Sequence, residues 1–311
     1  MPLNPLPNRM WNPRRPMPDF MLNTRPEAIV LGRETRIMGI VNVTPDSFSD
    51  GGDFYQTDRA IRHGIALYEQ GADMLDIGGE SSRPFSEGVS VDEEMRRVLP
   101  VMEALSAKIP VPLSVDTTKA SVAEAAIKAG ASVINDISAL RADPDMARVA
   151  VRYNVPVILM HMKGTPRTMQ VSPVYDNLIL EIRDFLRDAA QAAVEKGMDP
   201  SNLMIDPGIG FGKTLEDNLA LLKNLHHFAA LGMPLLVGSS RKKFIRSILS
   251  QDSEKDMDPK SSLVETGTQA TVASAALNGA HMVRVHDAAS TKATLKVIDA
   301  IKNSRDFPDG S

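Results

Sequence analysis

The stretch "VPLSVDTTKASVAEAAIKAGASVINDIS", Val111 to Ser138, decides the fold. It opens on a short apolar run that ends in Asp116. An alanine-rich segment of helical character follows, then a second apolar run that carries Asn135 and Asp136. Neither run alternates apolar with polar, which is the pattern of strands covered on both faces in a parallel sheet. The segment between them closes on Gly130-Ala131, a helix C-cap pattern ahead of the next strand. The unit is strand, helix, parallel strand.

From residue 36 the unit repeats. The apolar runs are "RIMGIVNV", "DMLDIG", "VPLSVD", "SVINDIS", "VPVILMHM", "NLMIDPG", "PLLVGSS" and "HMVRVHD". Helical segments separate them. "DRAIRHGIALYEQGA" also ends in Gly-Ala, "DEEMRRVLPVMEAL" starts with acids that suit a helix N-terminus, and "LILEIRDFLRDAAQAAVEKGM" is the longest. Eight such units predict an α/β fold, a single-domain (β/α)8 TIM barrel over residues 31–303. A doubly wound open sheet is the alternative, but eight evenly placed units favour closure. "QDSEKDMDPKSS", at 251–262, reads as a surface insertion, and 304–311 as a C-terminal tail.

Composition narrows the function classes. The chain has 311 residues, 43% hydrophobic and 24% charged, with a net charge of −4, ordinary for a globular protein. No basic excess suggests nucleic acid as a partner. No apolar run is long enough for a bilayer, so no membrane partner is expected. Cysteine is absent, which excludes disulfides and thiolate metal sites and fits a cytoplasmic location. The N-terminal "MPLNPLPNRMWNPRRPMPDF" lacks the continuous apolar core of a secretory signal. Its prolines cannot donate to regular structure. Residues 1–30 are therefore expected to form an irregular extension, either a disordered tail or a segment draped over the domain and anchored by Trp11.

Barrels of this type carry their chemistry at the C-terminal ends of the strands. Those ends hold Asn42; Asp76 and Gly78; Asp116; Asn135 and Asp136; His161; Asp206; Ser239 through Lys242; and Arg284 with His286. A single Asp or Asn there serves as a helix cap as readily as a ligand group. Eight ends in register are hard to explain as caps. Asp116, Asn135 and Asp206 suit a flat heterocycle with several N–H donors. Lys242, Arg284 and His286 suit phosphate or diphosphate. Closure makes the first and last strands neighbours, which sets Asn42 beside Arg284 and His286. Two patterns are discounted. "PGIGFGKT", Pro207 to Thr214, lacks the glycines of both the phosphate-loop and the dinucleotide motif, and its glycines read as a tight turn after Asp206. His226 and His227 lack a third ligand at metal spacing.

Together these segments resemble the dihydropteroate synthase family. "GIVNVTPDSFSDGG", "DIGGESSRP", "SVDT", "INDIS", "LMHMKGTPRTMQ", "IDPGIGFGKT", "GSSRKKF" and "RVHD" stand in the family's order across residues 36–301. The resemblance implies condensation of 6-hydroxymethyl-7,8-dihydropterin diphosphate with 4-aminobenzoate, releasing diphosphate. It implies pterin contacts from Asp116, Asn135, Ile137, Met160, Asp206 and Lys242. It implies diphosphate contacts from Asn42, Arg284 and His286, with Asn42 also on a Mg2+ ion. Phe48, Ser82, Arg83 and Pro84 would form the aminobenzoate pocket on two loops, Thr44–Gly52 and Glu80–Phe85, that close over the site. The backbone N–H of Lys243 would face the aminobenzoate carboxylate. Of these residues, Asp116, Lys242, Asp206 and Asn42 are the candidate catalytic set.

A weak arylamine nucleophile favours an SN1-like order, with Asp116 stabilising the pterin cation and Mg2+, Arg284 and His286 the leaving anion. Asp206 and Lys242 are expected to pair, either as ligand groups or as a plain buried salt bridge. Phe48 reads as a lid ring or as a core residue. The small-residue segment "TGTQATVASAALNGA" is barrel packing or, as the resemblance suggests, part of a homodimer interface. Ser82, Phe85 and Lys243 stand where the family more often has Thr, Gly and Ser, which bears on aminobenzoate and sulfonamide affinity. A pterin-dependent methyltransferase barrel would share Asp116, Asn135 and Asp206, without a need for the diphosphate set or the opening loop. A non-catalytic pterin-binding paralogue would tend to lose both loops.

Overall fold

A computed structural model describes residues 19–44, 53–83, 86–171, 173–250 and 256–304, with the backbone alone for 53–55. Among the described residues a short hairpin comes first, β1 (Phe20–Leu22) and β2 (Ile29–Leu31), paired antiparallel. The eight expected strands follow: β3 (Arg36–Asn42), β4 (Met74–Gly78), β5 (Leu113–Asp116), β6 (Val133–Asp136), β7 (Val157–Met160), β8 (Leu203–Asp206), β9 (Leu236–Val237) and β10 (Met282–Val285). They form one parallel sheet in the order β8-β7-β6-β5-β4-β3-β10-β9. The ring closes where Ile205 bridges Leu235 and its N–H donates to the Pro234 carbonyl at 3.0 Å. The TIM barrel is thus observed. β3 lies against β10, with Arg284 level with Met38.

The helices are α1 (Asp53–Glu69), α2 (Val91–Ser106), α3 (Ala120–Lys128), α4 (Met146–Tyr153), α5 (Leu178–Glu195), α6 (Leu215–Lys223), α7 (Lys243–Leu249), α8 (Ser262–Leu277) and α9 (Ala288–Lys302). Their ends follow the sequence logic. Ser90 caps α2 by accepting from the Glu93 N–H, ahead of Asp92, Glu93 and Glu94, which complement the helix dipole. Thr214 and Asp217 cap α6 reciprocally. After α3, Gly130 takes a φ of +118° and the Ala131 N–H returns to the Ala126 carbonyl, the expected glycine stop. The main core lies between strands and helices, with residues such as Ile77, Val98, Met102, Ile134, Leu159, Leu186 and Phe228.

One expectation is corrected. Residues 1–30 are not irregular throughout, because Phe20–Leu22 and Ile29–Leu31 pair as strands. The physical reason is the barrel's open floor. Leu22, Ile29 and Leu31 pack against Met38, Met74, Val133, Ile158, Met204, Leu236 and Met282, which point inward near the N-terminal ends of seven strands. A lone two-stranded hairpin is marginal in water. Each of its three buried side chains adds ~1.5–3 kcal/mol once seated. Ser132 Oγ donates to the Arg25 carbonyl, tying the turn to the loop before β6. Trp11 lies outside the described residues, as do 251–255 of the expected insertion and 305–311 of the tail.

Candidate active site

The strand ends converge at the barrel mouth. Asp76, in the middle of β4, is fully buried. Its Oδ2 accepts from Arg284 Nε at 2.6 Å and from Asn135 Nδ2 at 2.9 Å. Arg284 then reaches Asp116, donating from Nη2 to Oδ2 at 2.8 Å. One guanidinium on β10 thereby links carboxylates on β4 and β5, and through Asp76 the amide on β6. Burial raises the Asp116 carboxyl to about 7. Arg284 opposes that rise, and Asp76, Glu94 and Asp136 add to it.

Asp206 ends β8. Burial raises its carboxyl to about 6, against the Gly208 N–H, which donates to Oδ1 at 2.7 Å, and the charges of Lys242, Lys213 and Arg284. Lys242 stands just before α7 with its Nζ 3.9 Å from the centre of the Phe211 ring, a cation–π contact. Burial and the nearby Arg284 lower its ammonium to about 8. Asp206 and Lys242 sense each other's charge but are not within ion-pair distance, so the direct pair expected from sequence is not formed. Instead the aromatic face of Phe211 meets the lysine. Ile137 and Met160 come together as expected, in a small cluster with Met162, Met169 and Phe211. This gives the mouth an apolar wall beside its acids.

At the other side of the mouth, Ser240 Oγ accepts from the His286 backbone N–H at 3.3 Å and lies 3.0 Å from its Nδ1. Burial, with Arg241, Arg284 and Lys242 adding, lowers the imidazole to about 3, so it is neutral. Assigning the Ser240 hydroxyl hydrogen to Nδ1 leaves Nε2–H as a donor. Asn42 is exposed at the end of β3, and its backbone pairs with Gly78. Ser82 is half-buried, and Arg83 and Lys243 are exposed. Lys243 opens α7. Phe48, Pro84 and Phe85 lie outside the described residues.

The segment after β8 is held more tightly than its sequence suggested. Gly208, Gly210 and Gly212 have φ of +69°, +81° and +65°. A Cβ on Gly208 would sit 1.9 Å from the His161 carbonyl oxygen, and one on Gly212 2.6 Å from that of Lys163. The tight-turn reading of "PGIGFGKT" therefore holds. Inside the turn, Lys213 is buried, with Nζ 3.0 Å from His161 Nδ1 and 2.9 Å from the Phe211 carbonyl. Burial lowers the lysine to about 7, and burial and that lysine lower His161 to about 2. His161 also packs edge-on against Phe185.

Sequence reasoning gave no role to Asp76, Phe211 or Lys213. It also passed over Lys119, which joins Glu80, at the start of the second loop, to the buried Glu94 of α2. The available signal for Asp76 and Lys119 was a charged residue inside or beside a run with no solvent face. Among the described residues, no helix is long and apolar enough to cross a membrane.

Comparison with known proteins agrees with this geometry. Residues 38–286 match the model of the pterin binding enzyme family. The dihydropteroate synthase of Bacillus subtilis strain 168 is 44% identical over 283 residues, 91% of this chain and 94% of the relative. The solved dihydropteroate synthase of Xanthomonas albilineans with 4-aminobenzoic acid superposes with a TM-score of 0.84 at 43% identity, covering 93% of this chain and 100% of that one. The same organism's enzyme in complex with 7,8-dihydropteroate gives 0.81 at 42%, covering 92% and 100%. On its sequence, its fold and the residues gathered at its mouth, the chain belongs to the dihydropteroate synthases, transferases of the pterin-binding enzyme family.

Proposed function

We propose that the chain condenses 6-hydroxymethyl-7,8-dihydropterin diphosphate with 4-aminobenzoate, giving 7,8-dihydropteroate and diphosphate in folate biosynthesis. The observation that carries this reading is the Arg284 bridge. It sets a phosphate-binding cation directly against Asp116, one of the acceptors for a pterin edge. Asn135, Asp116 and Asp206 accept the ring's N–H donors, and Ile137, Met160 and Phe211 cover its face. Arg284, the Nε2–H of His286 and Asn42 hold the diphosphate. As the C–O bond lengthens, positive charge spreads into the pterin. A carboxylate fixed in a dry site stabilises it without reorganisation. This favours an SN1-like step, with 4-aminobenzoate adding afterwards from the side of the two loops, Ser82, Arg83 and Lys243 included.

A Mg2+ ion fits this mouth as a companion of the diphosphate. Among the described residues no group of three or more acids or histidines forms a metal cage. Mg2+ commonly keeps its waters and binds through substrate phosphates and one or two protein oxygens, and exposed Asn42 offers one. When bound, the ion would neutralise charge on the departing diphosphate. A homodimer in the cytoplasm is the assembly and location we infer, with "TGTQATVASAALNGA", most of α8 and the turn after it, at the interface. The test of the reaction is diphosphate release on mixing both substrates with Mg2+. Tight pterin binding without release would sink the synthase reading.

The buried charges predict the pH profile. Asp116 and Asp206 act as acceptors at both oxygens and as negative charges only when ionised, and they leave that state as pH falls through about 7 and about 6. Lys242 loses its charge as pH rises through about 8. A plot of kcat/KM against pH is therefore expected to be bell-shaped, with its maximum between pH 7 and 8. A flat profile from pH 5.5 to 9 would contradict these assignments. The stability sign is opposite. Both folded carboxyls lie above their unfolded value of 3.8. Their contribution is thus full below that value and is lost as pH rises through about 6 to 7.

A further inference from the structure

We infer that Asp76 is a positioning residue that sets both halves of the substrate site through one oxygen. This rests on the proposed reaction and extends it to a residue that touches neither half. Asp76 Oδ2 takes the Arg284 Nε–H and an Asn135 amide hydrogen together. The consequence for Asn135 is orientational. Its Nδ2 faces a carboxylate, and the flipped amide would set Oδ1 against that carboxylate and be repelled. Asn135 is therefore locked with Oδ1 as its acceptor, the atom that an N–H of a heterocycle needs. The consequence for Arg284 is directional. Nε is held by Asp76 and one Nη2 hydrogen by Asp116, so the remaining Nη hydrogens form the part of the fork left for an anion.

Asp76 Oδ1 is buried and accepts no hydrogen bond among the described residues. Both orienting contacts run through its other oxygen, Oδ2.

The test uses two probes that separate the halves: 6-hydroxymethylpterin without diphosphate, and inorganic diphosphate with Mg2+, each titrated by calorimetry. The wild type is expected to bind both and to turn over. Failure there would sink the functional reading before Asp76 comes into question. Asp76→Asn is expected to weaken both probes at least tenfold and to raise the KM for the pterin diphosphate while sparing that for 4-aminobenzoate. In an Asn135→Ser background, Asp76→Asn should add no further loss of pterin affinity, because its effect there runs through the amide. A structural role would predict additive losses. Asn135→Ser alone leaves the Asp76–Arg284 pair standing, so the test survives if Asp76→Asn does not fold. This variant is expected to weaken the pterin at least tenfold and to hold diphosphate within twofold. Weakening of one probe only by Asp76→Asn, additive losses in the double variant, or equal loss of both probes in Asn135→Ser would each overturn the proposal.

Discussion

Replacing Asp116 by asparagine is expected to lower kcat by about 100-fold or more. The side chain keeps its size and one acceptor for Arg284, so what is removed is the charge. Arg284 remains paired with Asp76 at 2.6 Å, and the barrel should stay folded. The loss falls on the step in which the pterin becomes cationic, because the partial burial of Asp116 reduces competing solvent and lets its charge act at short range. A largely buried carboxylate at neutral pH is costly to hold, as its rise to about 7 shows. The site bears that cost only if ionisation matters in the transition state. The measurement is diphosphate release at saturating concentrations of both substrates. A kcat within about threefold of wild type would remove Asp116 from the mechanism.

Gly208→Ala is expected to have the largest effect on stability. Its φ of +69° costs a non-glycine residue ~1–2 kcal/mol. The new Cβ would also lie 1.9 Å from a backbone oxygen, that of His161, which cannot rotate away as a side chain would. Relieving that overlap adds ~1–3 kcal/mol. The sum is about 2–5 kcal/mol, read as a lower denaturation midpoint at unchanged m-value. Gly197→Ala separates the two causes. Its φ is +97°, yet its nearest contacts are Val151 methyls at 3.9 Å, so it should lose only the backbone share. Equal losses in the two variants would contradict the steric account. Because the Gly208 N–H also holds Asp206 Oδ1, Gly208→Ala should weaken pterin binding, whereas Gly197→Ala should not.

The sequence was most legible where one physical demand acted alone. The barrel strands are covered on both faces, so their apolar runs stood out, and their C-terminal ends named Asp116, Asn135, Asp206, Lys242 and Arg284 in advance. The hairpin was hidden because "FML" and "IVL" are each a single turn of alternation among prolines, too short to register as strands. What stabilises them is a floor assembled from seven other strands. Asp76 stood among the polar residues near the strand ends, but its role was hidden, since nothing in its run shows that one buried oxygen would hold both Arg284 and Asn135. Lys213 was masked by its glycine-rich surroundings, which drew comparison with phosphate loops rather than with a buried lysine–histidine contact. Nor did the sequence show that Phe211, and not Asp206, would meet the Lys242 ammonium.

The hairpin under the barrel has a consequence for how the molecule comes apart. Its seat is built by Met38 near one end of the chain and Met282 near the other. It cannot dock until strands distant in sequence already stand side by side, and such contacts form late because closing long loops is slow. Contacts absent from the transition state resist unfolding without hastening folding. The plug thus acts as a latch on a closed ring. Its removal would raise the unfolding limb of a chevron and leave the refolding limb nearly where it was.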